Sequence, residues 1–464
     1  MADSRGVFDA EHWALTLGIL LGVTLTAFEA LAVVTVAPQV ADALNGKELY
    51  GWIFSSFMLA ALLSTVVGGQ QADAAGPGRP FAVGLTLFGA GLLLSGFAPS
   101  MLVFIAGRVV QGLGGGAVVV ALYAAVNVAY PDSLRPRLVA LMSSAWVVPA
   151  LVGPAAAGVV AQAVGWRVVF WGLVPLLGAV FALAMPSFAR RRSLVRNEPA
   201  ETPVLAACGL VLGTGALLYG LGVRALAPAL LLVGGGVAAS LLSLRNLMPE
   251  GTLRLAAGLP SVMASRGLFY AAFAGIQAFI ALTLGEVHGF PASVAGLAIA
   301  SGALSWTAGS WLQDRLDKRH GGAGRHRRVL GGTAVLSVGL LLQSAALFAT
   351  SLPLVMTVAG WLVAGLGIGL AHSSSSVLAF ALAPRGKEGA VSSSLQLADQ
   401  FTAALSTGVG GALFAVAVRS GAGEQLGIFY AQGFSLLLVT GSVIAAYRVG
   451  QAGELDPRLK AAGS

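Results

Sequence analysis

Long apolar segments recur along the whole chain, each about 20 residues or longer. At a rise of 1.5 Å per residue, about 20 residues of helix cross a hydrocarbon layer about 30 Å thick. Only 10% of the 464 residues are charged, against roughly 25% in an ordinary soluble domain. The sequence therefore predicts an all-helical membrane protein that crosses the lipid bilayer many times, and the apolar segments predict fourteen spans.

Positive charge is divided unequally between the two sides of these spans. With the N-terminus in the cytoplasm, 22 of the 27 basic residues, Arg266 among them, lie in cytoplasmic segments, and Arg108 lies inside a span. The four at outer ends are Lys47, Arg167, Arg224 and Arg419. Because basic residues concentrate on the cytoplasmic side, both termini are predicted to be cytoplasmic. The net charge of +8 then marks a membrane face and indicates no nucleic-acid partner.

One acidic residue, Glu29, stands alone in the first apolar run, GVTLTAFEALAVVTVAP. A charged carboxyl at such a depth costs roughly 2.5 to 3.5 kcal/mol on insertion scales. Arg108 of the fourth span lies at a similar predicted depth, so the two side chains can pair if their helices touch. A carboxyl that alternates between an arginine contact and a drier environment can bind and release a proton. The alternative is a permanently protonated, structural carboxyl.

Asp399 is a second deep acid, about 15 Å from the cytoplasmic end of the thirteenth span. It is a candidate for proton coupling or cation binding, and the alternative is a packing role with a hydrogen bond to Gln396. His372 can titrate near neutral pH or serve as an interior histidine. Packing or lipid-facing roles are equally open for each of the residues that could line a substrate cavity. These are Trp146, Gln277, Trp306 and His372.

A short turn after the second span, GGQQADAAGPGR, resembles the G-x-x-x-D-x-x-G-x-x-R signature of the major facilitator superfamily. The matching residues are Gly69, Asp73, Gly76 and Arg79. In that family the aspartate latches the cytoplasmic gate, although Ala74 stands here where a basic residue is usual. A second turn, SWLQDRLDKR, carries Asp314 and Arg315 at nearly the same spacing and indicates an internal duplication. The alternative for Asp73 is a solvated aspartate.

Three further stretches resemble motifs of the same family. RVVQGLGGG in the fourth span and AFEALAVVTVAP around Glu29 resemble its R-x-x-Q-G and first-span motifs. VPALVGPAAAG resembles the stretch typical of exporters that exchange substrate for protons. Its matching residues are Gly153, Pro154 and Gly158. The chain as a whole is most similar to the fourteen-span drug:proton antiporters of this superfamily.

That resemblance implies a major facilitator fold of two six-helix bundles plus an inserted helix pair. The bundles would occupy residues 14–186 and 267–447, with the inserted pair at 187–266. Residues 1–13 and 448–464 would be a cytoplasmic N-terminus and tail. A monomer in the cell inner membrane would export amphipathic or cationic drug-like compounds by alternating access and proton antiport. Glu29, Arg108 and Asp399 would carry the proton coupling.

Other functions remain as alternatives. The same fold could export a lipid or a natural product, and a non-transporting receptor or scaffold would not need deep charges. GLGGGA formally matches a dinucleotide fingerprint, but it lies within a span rather than after a strand. We therefore expect no enzyme, no metal and no cofactor, with the proton gradient as the energy source.

Overall fold

The computed structural model describes residues 6–9, 12–131, 133–190, 204–320, 322–384 and 388–455. These residues are helical almost throughout and form sixteen α-helices. They are α1 (Trp13–Ala43), α2 (Trp52–Ala75), α3 (Gly78–Gly96), α4 (Met101–Ala129), α5 (Arg135–Ser144), α6 (Val147–Val164), α7 (Trp166–Trp171), α8 (Leu173–Arg190), α9 (Val204–Gly220), α10 (Leu226–Leu247), α11 (Leu259–Leu282), α12 (Ala292–His320), α13 (Arg325–Ala345), α14 (Pro353–Ala381), α15 (Glu388–Arg419) and α16 (Glu424–Leu455).

Thirteen segments of the described chain are long and apolar enough to cross a bilayer. Two of these are interrupted, since α5 and α6 share one segment and α7 and α8 share another. Helix α9 is apolar and has 17 residues, which is about 26 Å of helix and the lower limit for a span. The prediction of an all-helical, multi-pass membrane fold is confirmed.

Glycines allow the same close helix pairing in each half of the chain. In the first half, a Cβ added to Gly114 of α4 would lie 2.2 Å from the backbone nitrogen of Phe88 on α3. In the second half, a Cβ added to Gly339 of α13 would lie 2.2 Å from the backbone nitrogen of Ala364 on α14. Backbones approach this closely only where the side chain is absent. We refer to α1–α8 and α11–α16 as the first and second bundles.

Helices α9 and α10 pack against the seam between the two bundles. Ala207 and Leu210 of α9 share an apolar cluster with Leu62 of α2 and with Leu397 and Phe401 of α15. Since α2 belongs to the first bundle and α15 to the second, the inserted pair touches both.

The second bundle begins earlier than predicted. Helix α11 starts at Leu259, eight residues before the expected boundary at residue 267. Pro260 lies in its first turn, where proline is favoured because the backbone N–H it lacks has no helical partner there. The predicted linker at 187–266 therefore contains the first two turns of a bundle helix.

The turns that follow α1, α3, α6, α9, α11, α13 and α15 lie on one face. The charge asymmetry predicts that this face is outside the cell, and we call it the outer face. The two bundles meet there. Lys47 Nζ of the first bundle lies 2.8 Å from Glu424 Oε1 and 3.0 Å from Glu286 Oε2 of the second. A Cβ added to Gly51 would lie 2.7 Å from the Cα of Gly411. The bundles are thus in contact on the outer face.

Candidate functional site

Glu29 and Arg108 form a buried ion pair between α1 and α4. Their side chains are 1% and 3% exposed. Arg108 Nη1 donates to Glu29 Oε1 and, at 3.0 Å, to Gln111 Oε1, while Arg108 Nε donates to the carbonyl of Ile53 at 3.0 Å. Gln111 Nε2 donates to the same Glu29 oxygen at 2.9 Å. The pairing that similar depth predicted is present, whereas the role in proton coupling stays a prediction.

The two oxygens of the Glu29 carboxyl differ in their surroundings. Oε1 accepts both hydrogen bonds, whereas the buried Oε2 has no hydrogen-bond partner among the described residues. On the other side of the pair, the Arg108 guanidinium carbon lies 4.4 Å from the centre of the Phe57 ring, a favourable contact for a cation. A buried polar atom without a partner is costly, and the hydrogen bonds of the described residues compensate this carboxyl at one oxygen only.

A second acid–arginine pair lies between α11 and α15. Arg266 Nε donates to Asp399 Oδ1 at 2.9 Å and its Nη2 donates to Oδ2 at 2.7 Å. This bidentate geometry uses both carboxylate oxygens and is the stronger form of such a pair. Arg266 Nη1 donates to Ser376 Oγ at 2.6 Å. The Asp399 side chain is 16% exposed and that of Arg266 is 6% exposed, so this pair is less dry than the first.

Arg266 was predicted to be one of the cytoplasmic basic residues, and its place in this pair was not predicted. Arg266 is the eighth residue of α11 and is buried. Starting the helix at Pro260, a usual first-turn residue, would have put Arg266 within the span and indicated a partner for Asp399. The alternative partner, Gln396, has no hydrogen bond to Asp399, whose described partners are Arg266 and His372.

His372 of α14 joins the second pair to a group of aromatic rings. Its Nε2 lies 2.7 Å from Arg266 Nη2 and 3.3 Å from Asp399 Oδ2. The His372 ring centroid is 5.3 Å from that of Trp306 on α12 and 6.0 Å from that of Tyr270 on α11. Two of the predicted cavity residues, Trp306 and His372, are therefore in contact beside an acidic residue.

The other two predicted cavity residues lie apart from this contact. Gln277 is partly buried and follows Tyr270 and Phe273 by seven and four residues on α11, which puts the three on one helix face. Phe273 in turn contacts Trp306, with centroids 5.3 Å apart. Trp146, before α6, is 46% exposed and has no ring contact with this group among the described residues. The structure thus groups three of the four near α11.

The predicted gating residues of the first bundle lie at the end of α2. Asp73 and Arg79 are exposed, and Asp73 forms no ion pair with a described residue. Gly76 follows the helix with a φ of 82°, a conformation that favours glycine. Gly69 lies further back on α2, against Val120 of α4. The gate-latch role of this turn stays a prediction, since Asp73 has no ion-pair partner among the residues that the structure describes.

The corresponding turn of the second bundle uses a different acid from the one predicted. Asp314 lies within α12 and pairs only with Lys318 at 2.6 Å, while Arg315 is exposed. Asp317, one helical turn later, accepts hydrogen bonds from Arg325 and Arg328 of α13 at 2.6 Å and 2.5 Å. The helix runs on to His320, so Asp317 rather than Asp314 faces the next helix.

The residues that resemble the antiporter motif lie where α6 meets α12 across the bundle seam. A Cβ added to Gly158 would lie 2.6 Å from the carbonyl oxygen of Ala292. On the opposite helix, a Cβ added to Gly296 would lie 2.2 Å from the carbonyl oxygen of Pro154. Gly153 faces the ring of Phe28 on α1. The small residues of this motif therefore allow direct backbone contact between the two bundles.

Sequence comparison places these features among known transport proteins. A sequence profile of the Major Facilitator Superfamily matches residues 19–407. A probable multidrug-efflux transporter of Mycobacterium tuberculosis is 27% identical over 463 residues, covering 94% of each chain. Multidrug resistance protein 3 of Bacillus subtilis is 26% identical over 38% of this chain and 34% of its own. A transporter from the acurin A biosynthesis cluster of Aspergillus aculeatus is 30% identical over 47% of this chain and 38% of its own.

Solved structures of similar fold cover nearly the whole chain. An auto-inhibited peptide transporter of the POT family superimposes with a TM-score of 0.65 at 18% identity, covering 94% of this chain and 97% of its own. A D-xylose–proton symporter superimposes with a TM-score of 0.63 at 14% identity, covering 93% and 97%. At these identities the likeness concerns the fold alone.

Proposed function

This chain belongs to the major facilitator superfamily and is a multi-pass membrane transporter of small molecules rather than an enzyme, and we propose that it exports amphipathic, drug-like cations in exchange for protons. The match to a probable multidrug-efflux transporter over 94% of the chain supports export of drug-like compounds. The α9–α10 pair beside the seam supports assignment to the fourteen-span type.

The buried Glu29–Arg108 pair is the observation that carries proton coupling. A carboxylate that is 1% exposed is stable only while a cation and hydrogen-bond donors compensate its charge. Arg108 and Gln111 supply that compensation to one oxygen, and the other oxygen is left without a partner. Any movement that weakens the Arg108 contact therefore favours protonation of Glu29 at Oε2.

Alternating access would produce that movement. In the present conformation the bundles touch on the outer face and Glu29 is dry. Separation of the bundles on that face would open a water path for protons and weaken the contact of Arg108 with Glu29, and a proton from outside would then neutralise the carboxylate. Arg108 would keep its bonds to Gln111 and to the carbonyl of Ile53, so the helix would not lose its remaining contacts. Return to the present conformation would restore the Arg108 contact, which favours the ionised carboxylate, and Glu29 would release the proton to the cytoplasmic side.

Proton and substrate would be exchanged because both neutralise acidic groups. A cation bound near an ionised carboxylate disfavours protonation, and the effect is reciprocal. The rings of Tyr270 and Trp306 contact His372, which lies 3.3 Å from Asp399, and would face the apolar part of such a cation. This arrangement supports amphipathic cations as the substrate class.

Export of a natural product is the second candidate function. The relative from the acurin A biosynthesis cluster matches 218 residues at 30% identity, so that part of the chain is as similar to a transporter associated with biosynthesis as to the multidrug proteins. A lipid substrate is a further alternative with the same fold. A scaffold without transport activity would leave two buried ion pairs without a role.

We also propose a monomer in a bacterial cytoplasmic membrane with both termini inside. Single cysteines at His320, the last residue of α12, and at Ala422, in the turn after α15, test the orientation in a Cys208→Ala background. An impermeant thiol reagent added to intact cells should label the cysteine at 422 and spare that at 320. The opposite pattern would reverse the orientation. Permeabilised cells, in which both sites should react, provide the control.

Transport itself is tested in vesicles with an imposed pH gradient. Glu29→Gln keeps the volume of the side chain and removes its charge, so the protein should insert normally. Proton-driven efflux of a monovalent lipophilic dye should fall at least about 100-fold, the scale of losing a group essential for the cycle. Undiminished efflux by this variant at matched expression would show that Glu29 is structural.

A drug-susceptibility panel in an efflux-deficient host, with a panel of secreted natural products alongside, distinguishes the two candidate substrates.

A further inference from the structure

His372 lies between a hydrogen-bond donor and an acceptor that compete for the same ring nitrogen. Its Nε2 is 2.7 Å from Arg266 Nη2 and 3.3 Å from Asp399 Oδ2. A guanidinium group can only donate and a carboxylate can only accept. The nitrogen can therefore bond to only one of them at a time, and the choice depends on whether it carries a proton.

The shorter distance identifies the form of His372 in the present conformation. To accept a hydrogen bond from Arg266, Nε2 must be unprotonated, so the ring is neutral with its proton on Nδ1. A proton added to Nε2 would abolish this bond and supply a donor for Asp399 Oδ2, which needs to approach by only a few tenths of an ångström. The site is thus arranged for two alternative hydrogen-bond patterns.

We infer that His372 is the proton-binding group of the second bundle and that Asp399 is its fixed counter-ion. This inference rests on the proposed proton-coupled export and assigns to the imidazole a role that the sequence favoured for the carboxylate. Asp399 is held by two parallel hydrogen bonds from Arg266, an arrangement that stabilises the ionised form. Protonation of the imidazole would exchange the hydrogen bond from Arg266 for one to Asp399.

The surroundings of His372 contain few other charges. The titratable and charged groups that face it are Arg266 and Tyr270 on α11 and Asp399 on α15. Among the described residues of α12 and α13, no charged group contacts it, and α12 contributes the ring of Trp306. Protonation of His372 therefore changes the net charge of the cluster from neutral to +1.

That change of charge would couple the cluster to a cationic substrate. A cation resting against Trp306 and Tyr270 lies next to the His372 ring, so it opposes protonation there by like-charge repulsion. By the same repulsion, a protonated His372 weakens binding of the cation. The exchange of proton for substrate would then take place in the second bundle as well as at Glu29.

The proposal is tested by nitrogen NMR of the purified protein labelled at its histidines, of which the chain has five. The His372 signal is assigned as the one that His372→Gln removes. The glutamine side chain can accept from Arg266 and donate to Asp399 but does not titrate. We expect the neutral ring to carry its proton on Nδ1 and to gain a second proton, on Nε2, on acidification. Saturating tetraphenylphosphonium should move that titration to lower pH.

Three results would overturn the proposal: a proton on Nε2 in the neutral ring, no protonation of the ring at any pH at which the protein stays folded, or a titration that the cation leaves unchanged. If His372→Gln fails to fold, the same signal is identified with His372→Asn. His320→Gln, which alters an exposed histidine at the end of α12, should leave the His372 titration unchanged. Because the titration is read without transport, its outcome is separate from that of the vesicle assay.

In vesicles, the wild-type rate of dye efflux should fall with acidification of the cytoplasmic side, and His372→Gln should lower the rate and flatten this dependence. A merely structural role for His372 would lower the rate equally at every pH. Retention of the wild-type pH profile by the variant would also contradict the inference. Glu29→Gln distinguishes the sites, because its loss of efflux should not alter the NMR titration of His372.

Discussion

The two buried acid–arginine pairs differ in how completely the protein satisfies their charges. The Glu29 carboxyl is 1% exposed, accepts both of its hydrogen bonds on one oxygen and leaves the other without a partner. The Asp399 carboxyl is 16% exposed and has both oxygens bonded to Arg266. A dry, half-satisfied pair responds strongly to a change of surroundings, whereas a wetter and fully bonded pair resists it.

The two bundles differ in which side chain would change its protonation. In the first bundle, we propose that the Glu29 carboxyl changes its protonation, because Arg108 contacts only one of its two oxygens. In the second, the arginine fixes the carboxylate and leaves the neighbouring imidazole free to change. In the proposed mechanism, the two bundles would thus bind protons through different side chains.

The largest effect should come from removing the arginine of the dry pair. Arg108→Ala leaves a buried carboxylate without its cation, and the free energy of unfolding should fall by about 3–5 kcal/mol. The measurement is the unfolding of purified protein by denaturing detergent. Adding Glu29→Gln to Arg108→Ala should restore most of the loss, because no charge is then left unpaired. A double variant no more stable than Arg108→Ala alone would mean that the damage is one of packing.

A smaller effect is expected from the same change in the wetter pair. Arg266→Ala should lower the free energy of unfolding by about 1–3 kcal/mol, since Asp399 keeps the contact with His372 and some access to water. The same detergent unfolding measures it, with Arg266→Ala/Asp399→Asn as the matched double variant. If Arg266→Ala costs as much as Arg108→Ala, the contrast in exposure does not govern the two pairs.

The smallest effect on stability should be found at the two cytoplasmic turns. Asp73→Asn should change the free energy of unfolding by less than about 0.5 kcal/mol, because Asp73 is exposed and has no ion-pair partner among the described residues. Asp317→Asn, which removes two ion pairs that are partly exposed, should cost about 1 kcal/mol.

The rate of transport provides the contrasting measurement for these turns. If Asp73 latches the gate in the opposite conformation, Asp73→Asn should slow dye efflux several-fold while leaving dye binding nearly intact. Dye efflux by Asp73→Asn at the wild-type rate would contradict the latch role predicted from the sequence. Asp314→Asn is the matched control, since that aspartate pairs only with Lys318 on the surface of its own helix.

The sequence was sufficient to predict the helical membrane fold and the first pair because both depend on depth along regular spans. Counting residues from the ends of α1 and α4 placed Glu29 and Arg108 at similar levels, and the structure pairs them. The second pair could not be predicted in this way. Its arginine follows Gly258 and Pro260, which resemble a loop in sequence although the helix has already begun.

Other details depended on where helices end, which apolar patterning leaves open. The continuation of α12 to His320 moved the paired acid from Asp314 to Asp317. The position of His372 between donor and acceptor depends on side-chain directions from three helices, which spacing along one helix does not specify. Local motifs therefore located the site, and the packing of α11, α14 and α15 determined its chemistry.

The contact of Gly51 with Gly411 has a consequence for how quickly the outer face can open. Two glycines present smooth backbone to each other, with no side chain to interlock and little apolar area to adhere. Separating these two glycines requires no rotamer change and exposes little apolar surface to water. Cohesion on this face therefore comes from the buried ring of Tyr50, which packs against Phe279 and Phe414, and from Lys47 with its carboxylate partners Glu286 and Glu424. Salt in the external medium can partly screen these ion pairs. Higher ionic strength outside the cell should thus speed the opening of the outer face and, where that step limits the rate, the transport cycle.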